Sequence, residues 1–368
     1  MPYLRFNRDQ VKMKPLAERQ NKQRIEDKKI LPDATWELDA NGEKLVDETV
    51  KRIIKSKESG SPVMLTFGAH SIKNCLAPVF IELMKDGWVT HLATNGAGVI
   101  HDWEFSYQGE TSEDVEYYVS RGQFGNWQET GFNINLAIIA GAYQNLGYGE
   151  SVGAFIANEG LNIPSVAQLE NEIRTFASAD PQKAAAAADF LHTIKKFDLR
   201  EGFYELKHPY KKYGVQSTAY ELGIPFTSHP MIGHDIIYNH PVNSCSAIGR
   251  AAERDFLTFA ESVSRLNQGV YMSVGSAVMS PMVFEKSMSI SRNVAIQKGE
   301  QIDSHFILIV DLQESHWDWT KGEPPETNPD YYLRYNKSFS RMGGDMAYLS
   351  ADNRDFLLAL CQKLKASV

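Results

Sequence analysis

The chain has 368 residues, 43% of them hydrophobic and 23% charged, with a formal net charge of -8. That balance suits a globular protein with a sizeable core, and it argues against a nucleic-acid binder, which would carry a basic surplus. Cys75, Cys245 and Cys361 lie far apart and form no CxxC pair, which points to a reducing compartment rather than a disulfide framework. No apolar run approaches the roughly 20 residues that span a bilayer, and the opening MPYLRFNRDQVKMKPLAERQ lacks the apolar centre of a secretory signal. The sequence therefore predicts a cytoplasmic protein with neither a membrane nor a nucleic-acid partner.

In chain order, residues 1–40 form a basic amino-terminal arm, and 41–368 read as one α/β domain with no repeat and no linker. The arm reads either as a solvated segment or as one that packs on a neighbouring subunit. PVMLTFGAH is a buried strand that ends in a glycine turn. SIKNCLAPVFIELMKDG follows as a helix with Ile72, Leu76, Val79, Phe80 and Leu83 on one face and Gly87 as its stop. VTHLATNGAG repeats the strand and turn, which makes a βαβ unit and implies a parallel sheet. The middle of the chain is helical: NWQETGFNINLAIIAGAYQNLG, a helix capped by Ser165 with Gln168 and reaching Phe176, and the alanine run before Asp189. Strands return at GIPFTSH, GVYMSVGSAV and SHFILIVDL, with a helix over 250–266 between them. DMAYLS is the last strand, and a helix from Asp352 ends the chain.

Ligands of open parallel sheets bind beyond the carboxyl ends of the strands. The glycine turns there, Gly68 with His70, Asn95-Gly96-Ala97-Gly98 and Gly275, are therefore candidates for cradling a phosphate. NGAG lacks the third glycine of GxGxxG, which argues against an ordinary Rossmann dehydrogenase. HPMIGHDIIYNH brings His229, His234, Asp235 and His240 within a dozen residues. This cluster reads as a metal site, as histidines hydrogen-bonded near a loop, or as a general base beside an organic ligand. In PDYYLRYNK, Lys337 follows three tyrosines. If desolvated there it would lose its charge and become a nucleophile, and otherwise it is a surface lysine.

In this order the segments resemble deoxyhypusine synthase over roughly residues 60–365. THLATNGAGVIHDWE stands where that family has a TTAGG-type turn followed by acidic residues, which puts Asn95, Gly96, Gly98 and Asp102 at NAD. IPFTSHPMIGHDIIYNH matches with a one-residue shift and puts His240 on the family's active-site histidine. VGSAV matches a glycine turn at Gly275, and DLQE supplies Gln313 and Glu314. PDYYLRYNK aligns without gaps and puts Lys337 on the catalytic lysine, while SADN puts Asp352 at NAD. The resemblance implies a mostly parallel twisted sheet with helices on both faces, Rossmann-like and NAD-binding, in a homotetramer. It also implies a transferase that moves an alkylamine group from a polyamine through a Lys337 imine, with NAD as the hydride carrier and His240 moving the proton. Gly68, His70, Asn95, Gly96, Gly98, Asp102, Gly275, Gln313 and Asp352 would hold NAD, and Asp235, Glu314, Tyr331 and Tyr335 the small amine. Tyr331 and Tyr335 replace a glutamate and a tryptophan of the family, and SHPM replaces its acidic TDG turn. Those departures count against spermidine and against a protein acceptor. The alternatives are a metal-dependent hydrolase on His229, His234 and His240, and a non-catalytic NAD-binding protein.

Overall fold

The computed structural model describes residues 3–367. Among them ten strands form: β1 (Asn21–Arg24), β2 (Val63–Phe67), β3 (His91–Thr94), β4 (Glu110–Glu113), β5 (Gly160–Ile163), β6 (Gly202–Glu205), β7 (Phe226–Ser228), β8 (Val270–Val274), β9 (Phe306–Asp311) and β10 (Asp345–Ser350). The chain divides into two compact units, which the sequence reading did not separate. One is built from residues up to Asp27 with Val99–Thr218 and Pro230–Arg254. The other is built from Lys28–Gly98, Ala219–His229 and Asp255 onward.

All six strands of the second unit's sheet were legible, and all pair in parallel. Across the sheet they run β10-β9-β8-β2-β3-β7. Numbered by appearance, the order from the β7 edge is 3-2-1-4-5-6, that of a doubly wound, Rossmann-like α/β sheet. The pattern follows from composition: every residue of β2 and of β8 is buried, as a strand covered on both faces requires, and both strands are almost wholly apolar. Tyr271, Phe259, Phe284 and Phe339 pack together in its core with Met64 and Ile307.

The expected helix after β2 is broken in two, Ala69–Lys73 and Ala77–Lys85. Pro78 supplies no N–H and is tolerated only in the first turn of a helix, so the helix restarts at Ala77, and Cys75 takes φ +67° between the pieces.

The first unit is mainly helical, around the buried helix Gln128–Tyr143. Its antiparallel pairs β1–β4 and β5–β6 were not foreseen. Residues 14–27 are no solvated arm. Leu16 and Ile25 are buried, and the Arg19 guanidinium meets Glu104 at 2.7 Å with both side chains 1% exposed. The Oγ of Ser165 accepts from the N–H of Gln168 at 3.0 Å, as its position before Val166–Phe176 implied. No helix among the described residues is long and apolar enough to cross a membrane.

Candidate functional site

The order 3-2-1-4-5-6 reverses direction between β2 and β8, and the loops leaving those two strands flank the switch point where such sheets bind ligands. The N–H of Gly68, directly after β2, donates to the carbonyl of Val274 at 3.0 Å, and that of Gly275, directly after β8, to Val310 at 2.8 Å. A Cβ on Gly68 would lie 2.0 Å from the Gly275 carbonyl oxygen, so any side chain would force the loops apart. Gly275 has φ +58°, and a Cβ there would lie 2.2 Å from the Nδ2 of Asn353, the first residue of the carboxyl-terminal helix Asn353–Lys365. Three strand-end loops, after β2, β8 and β10, thus converge backbone to side chain.

Polar atoms at these loops are left over. Asn353 Oδ1 and Ser71 Oγ in the helix after β2 are buried with no hydrogen-bond partner among the described residues, as is Ser228 Oγ farther along the same sheet end, on the edge strand β7. A buried, unpaired polar atom costs about 1–3 kcal/mol, so groups that recur at one end of a sheet call for a ligand or water. Asn353 was not singled out from the sequence. A polar side chain at the first helical position beside a strand end was its only signal, and neighbouring Asp352 drew the attention instead. Asp352 itself is exposed and caps the helix, accepting from the N–H of Arg354 at 2.8 Å.

The other expected cofactor residues have distinct local roles. Asn95 Oδ1 accepts from the N–H of Gly98 at 3.0 Å and caps the helix Gly96–Gln108. Gly98 is small because a Cβ would lie 2.3 Å from Thr94 Oγ1. Asp102 belongs to the first unit, where its carboxylate accepts from the N–H groups of Val215 (2.8 Å) and Gln216 (3.0 Å) and from the Gln216 amide (2.9 Å). Burial pushes its pKa up to about 6 against the pull of those donors. Both oxygens are therefore taken by the start of Val215–Leu222. His70, Gln313 and Glu314 are exposed.

Lys337 lies in the helix Arg334–Phe339 of the second unit with its side chain 16% exposed. Its ammonium is 2.7 Å from Glu323 Oε1 and 3.2 Å from the centroid of the Tyr331 ring. Burial pulls its pKa down, but the hydrogen bond to Glu323 and the contact with Tyr331 outweigh burial and hold it above the ordinary lysine value. The tyrosines were expected to neutralise the lysine by desolvation. Tyr331 instead stabilises the cation, and Glu323, fourteen residues upstream, completes the pairing. Tyr335 meets Tyr348, hydroxyl to hydroxyl, at 3.2 Å.

His240 belongs to the first unit. Its Nδ1 accepts from the N–H of Val242 at 3.1 Å, which leaves the proton on Nε2 facing Gln128 Oε1 at 3.1 Å. Burial, with the charge of Arg8, lowers its pKa to about 4. It is a neutral ring with both nitrogens engaged. His229, in the second unit, shares Thr227 Oγ1 with the buried His91, at 3.1 and 3.0 Å. Burial brings both histidines to about 3. His234 is exposed. Asp235 is the exception in this segment: its Oδ2 is buried without a partner, and burial raises its pKa to about 7. No three His, Cys, Asp or Glu side chains among the described residues are grouped to hold a metal ion, so the hydrolase reading of the histidine cluster is corrected.

No family model and no curated protein matches the chain. Among solved structures it is similar to the apo form of ArgZ, an arginine dihydrolase from the ornithine-ammonia cycle in cyanobacteria. That likeness has 14% identity and a TM-score of 0.42, and covers 89% of this chain and 33% of that one. It is similar also to AgrE in its ternary complex with ornithine and NAD+ (15%, 0.45, 90% and 34%). A conserved putative LOR/SDH protein from Methanococcus maripaludis S2 is a third (10%, 0.43, 91% and 70%). The chain spans about a third of the length of ArgZ and AgrE. Likenesses this distant carry no argument about activity. The proteins reached are an arginine dihydrolase, AgrE and a LOR/SDH protein, not deoxyhypusine synthase, and the family assignment is corrected accordingly. With it go the polyamine, the alkylamine transferase and the Lys337 imine. The motifs behind them are short glycine turns and a PD-to-Lys match, which recur wherever strands of a parallel sheet end, and the lysine they singled out is held as a cation.

Proposed function

We propose that the second unit binds a dinucleotide of the NAD class at the switch point between β2 and β8. The observation that carries this is the convergence of Gly68, Gly275 and Asn353 at the crevice of a sheet ordered 3-2-1-4-5-6. The fit is physical. The two glycines keep the loops close without side chains, and Asn353 Oδ1 is an unused buried acceptor for a ligand hydroxyl or amide. The hydroxyl of Ser71 is an unused donor, and Gly96 starts a helix directly after β3, at the same ends of the strands. When bound, NAD supplies a hydride acceptor or donor. Asn95 stands after β3, where dinucleotide sheets of this order place a carboxylate for the ribose hydroxyls, and its amide is already a helix cap. The ribose must therefore be read elsewhere, and Asn353 is the residue we assign to it.

A cytoplasmic location is part of the same proposal, supported by three free cysteines, of which Cys75 and Cys361 are buried. Calorimetric titration of the full chain with NAD tests the reading. We expect saturable heat that is lost in Gly275→Val and retained in Lys337→Ala. Absence of heat at millimolar NAD with a folded protein overturns it.

A further inference from the structure

In the amino-terminal segment of the first unit, Arg8 is half-buried and its guanidinium is held by neutral oxygens alone. Asn243 takes the end of the fork, its Oδ1 accepting from Nη1 at 2.8 Å and its carbonyl from Nη2 at 2.8 Å. The Tyr238 carbonyl accepts the other Nη1 hydrogen at 2.9 Å. The Nε–H and the second Nη2–H are left, and in a planar guanidinium these lie parallel on one edge, the fork that a carboxylate fits. No carboxylate of the described residues forms an ion pair with Arg8, and the adjacent Asp9 is paired with Lys196 at 2.8 Å. His240 registers this charge, which helps to keep its ring neutral.

The same arginine lines a cavity of about 570 Å³, a size usual for small-molecule sites. Phe6, Val11 and Tyr238 supply apolar walls, and Asn126 and Asn239 complete the lining. Both carboxamides are fixed: that of Asn126 donates to the Gly122 carbonyl at 2.8 Å and that of Asn239 to the Phe124 carbonyl at 3.4 Å. The segment that carries Tyr238 and Asn239 is fixed too. A Cβ on Gly125 would lie 2.6 Å from Ile236, and Asn135 Nδ2 donates to the Ile237 carbonyl at 2.9 Å. The site is therefore formed before a ligand arrives, which limits the ordering that binding must offset. We propose that this cavity binds a small organic carboxylate, held in two hydrogen bonds on the free edge of Arg8 with its apolar body against Phe6, Val11 and Tyr238. One guanidinium, with no second cation among the lining residues, balances a single negative charge, and the apolar walls do not suit the further oxygens of a phosphate group. The same charge repels an amine.

Calorimetric titration of the full chain with 4-methylpentanoate, at fixed ionic strength, tests this, and 3-methylbutylamine is the probe of opposite charge. We expect saturable binding of the carboxylate in the millimolar range and none of the amine. Arg8→Gln should weaken the carboxylate about tenfold or more, and so should Val11→Trp, which fills the cavity and keeps the guanidinium. Unfolding midpoints establish that the variants fold, and if Arg8→Gln does not, Val11→Trp decides. A second readout is local to the site. The carboxylate should slow phenylglyoxal modification of Arg8, followed by peptide mass spectrometry, and leave that of the exposed Arg5 unchanged. Absence of carboxylate binding at tens of millimolar overturns the proposal. So does wild-type affinity in a folded variant, equal binding of the amine, or equal protection of Arg8 by inorganic phosphate.

Discussion

The loops around Gly68 and Gly275 and the segment around Lys337 both belong to the second unit, and they differ in whether the group that looks reactive is already paired. At Lys337 the ammonium has Glu323 and the face of Tyr331, and Glu323 also holds Arg341, while the buried amide of the neighbouring Asn336 has no partner among the described residues. Around the switch point the backbone is satisfied, while Asn353 Oδ1 and Ser71 Oγ remain buried and unused. A lysine in an aromatic setting looks reactive in a sequence, yet its partners make it a structural cation. The unused capacity at the strand ends lies at glycines and an asparagine that look ordinary. Chemical potential in a fold resides in polar groups the fold has not already paired.

Gly68→Val offers the strongest way to break this comparison. Its side chain would meet the Gly275 carbonyl, and we expect about 3 kcal/mol lost in urea unfolding together with loss of NAD binding. Normal stability and binding would show that the loops need no close approach.

Asp235 extends the contrast to the first unit, because its buried oxygen has no partner and its pKa rises from 3.8 to about 7. A carboxyl whose folded pKa is raised contributes most below its unfolded value, and that contribution fades as pH climbs through the folded one. We expect wild-type stability to fall between pH 4 and 7 relative to Asp235→Asn, which should be the more stable by about 2 kcal/mol at pH 7.5. Parallel pH profiles for the two proteins would mean that the oxygen has a partner in solution.

Asn353→Ala sharpens the comparison at the switch point itself. Because Oδ1 has no partner to lose, unfolding midpoints should barely move, while NAD affinity should weaken about tenfold. An equal loss of stability with unchanged affinity would return Asn353 to a packing role.

The smallest effect is expected at Lys337. Replacing it with alanine should lower thermal stability slightly at pH 7 and leave NAD titration unchanged. Since the folded pKa lies above 10.5, the stability difference should persist through neutral pH and disappear only as pH rises past that value. Loss of NAD heat in this variant would place the lysine at the ligand.

Much of the second unit was legible because its physics is local. Runs such as VMLTF and FILIVD are buried strands by composition, and the turns after them announce themselves by glycine. The first unit's strands were missed because β1 is NKQR, with no apolar residue, and β6 is mostly exposed, so neither carries the alternation that marks a strand. Pro78 was visible in the sequence but was outvoted by the apolar period around it. At the site, Gly68 and Gly275 could be read as strand-end turns, whereas the partners that decide reactivity lie far along the chain. Glu323 quenches Lys337, Gln128 and Val242 engage His240, and Val215 and Gln216 occupy Asp102. No periodicity reports such encounters.

The threading of the chain through its two units bears on how the protein is made. β1 pairs with β4, whose residues follow almost ninety positions later, and the first unit is not complete until Arg254 has been synthesised. β2, central in its sheet, waits for β8 at Val270, and β3 waits for β7. During vectorial synthesis the ribosome therefore releases β2 and β3 as a two-stranded fragment with both outer edges bare for more than a hundred residues, a state prone to wrong pairing. No single cut in the gene yields either unit whole. A nascent chain of this kind needs a chaperone more than its finished stability suggests, and a fragment ending before Val270 should partition into aggregates.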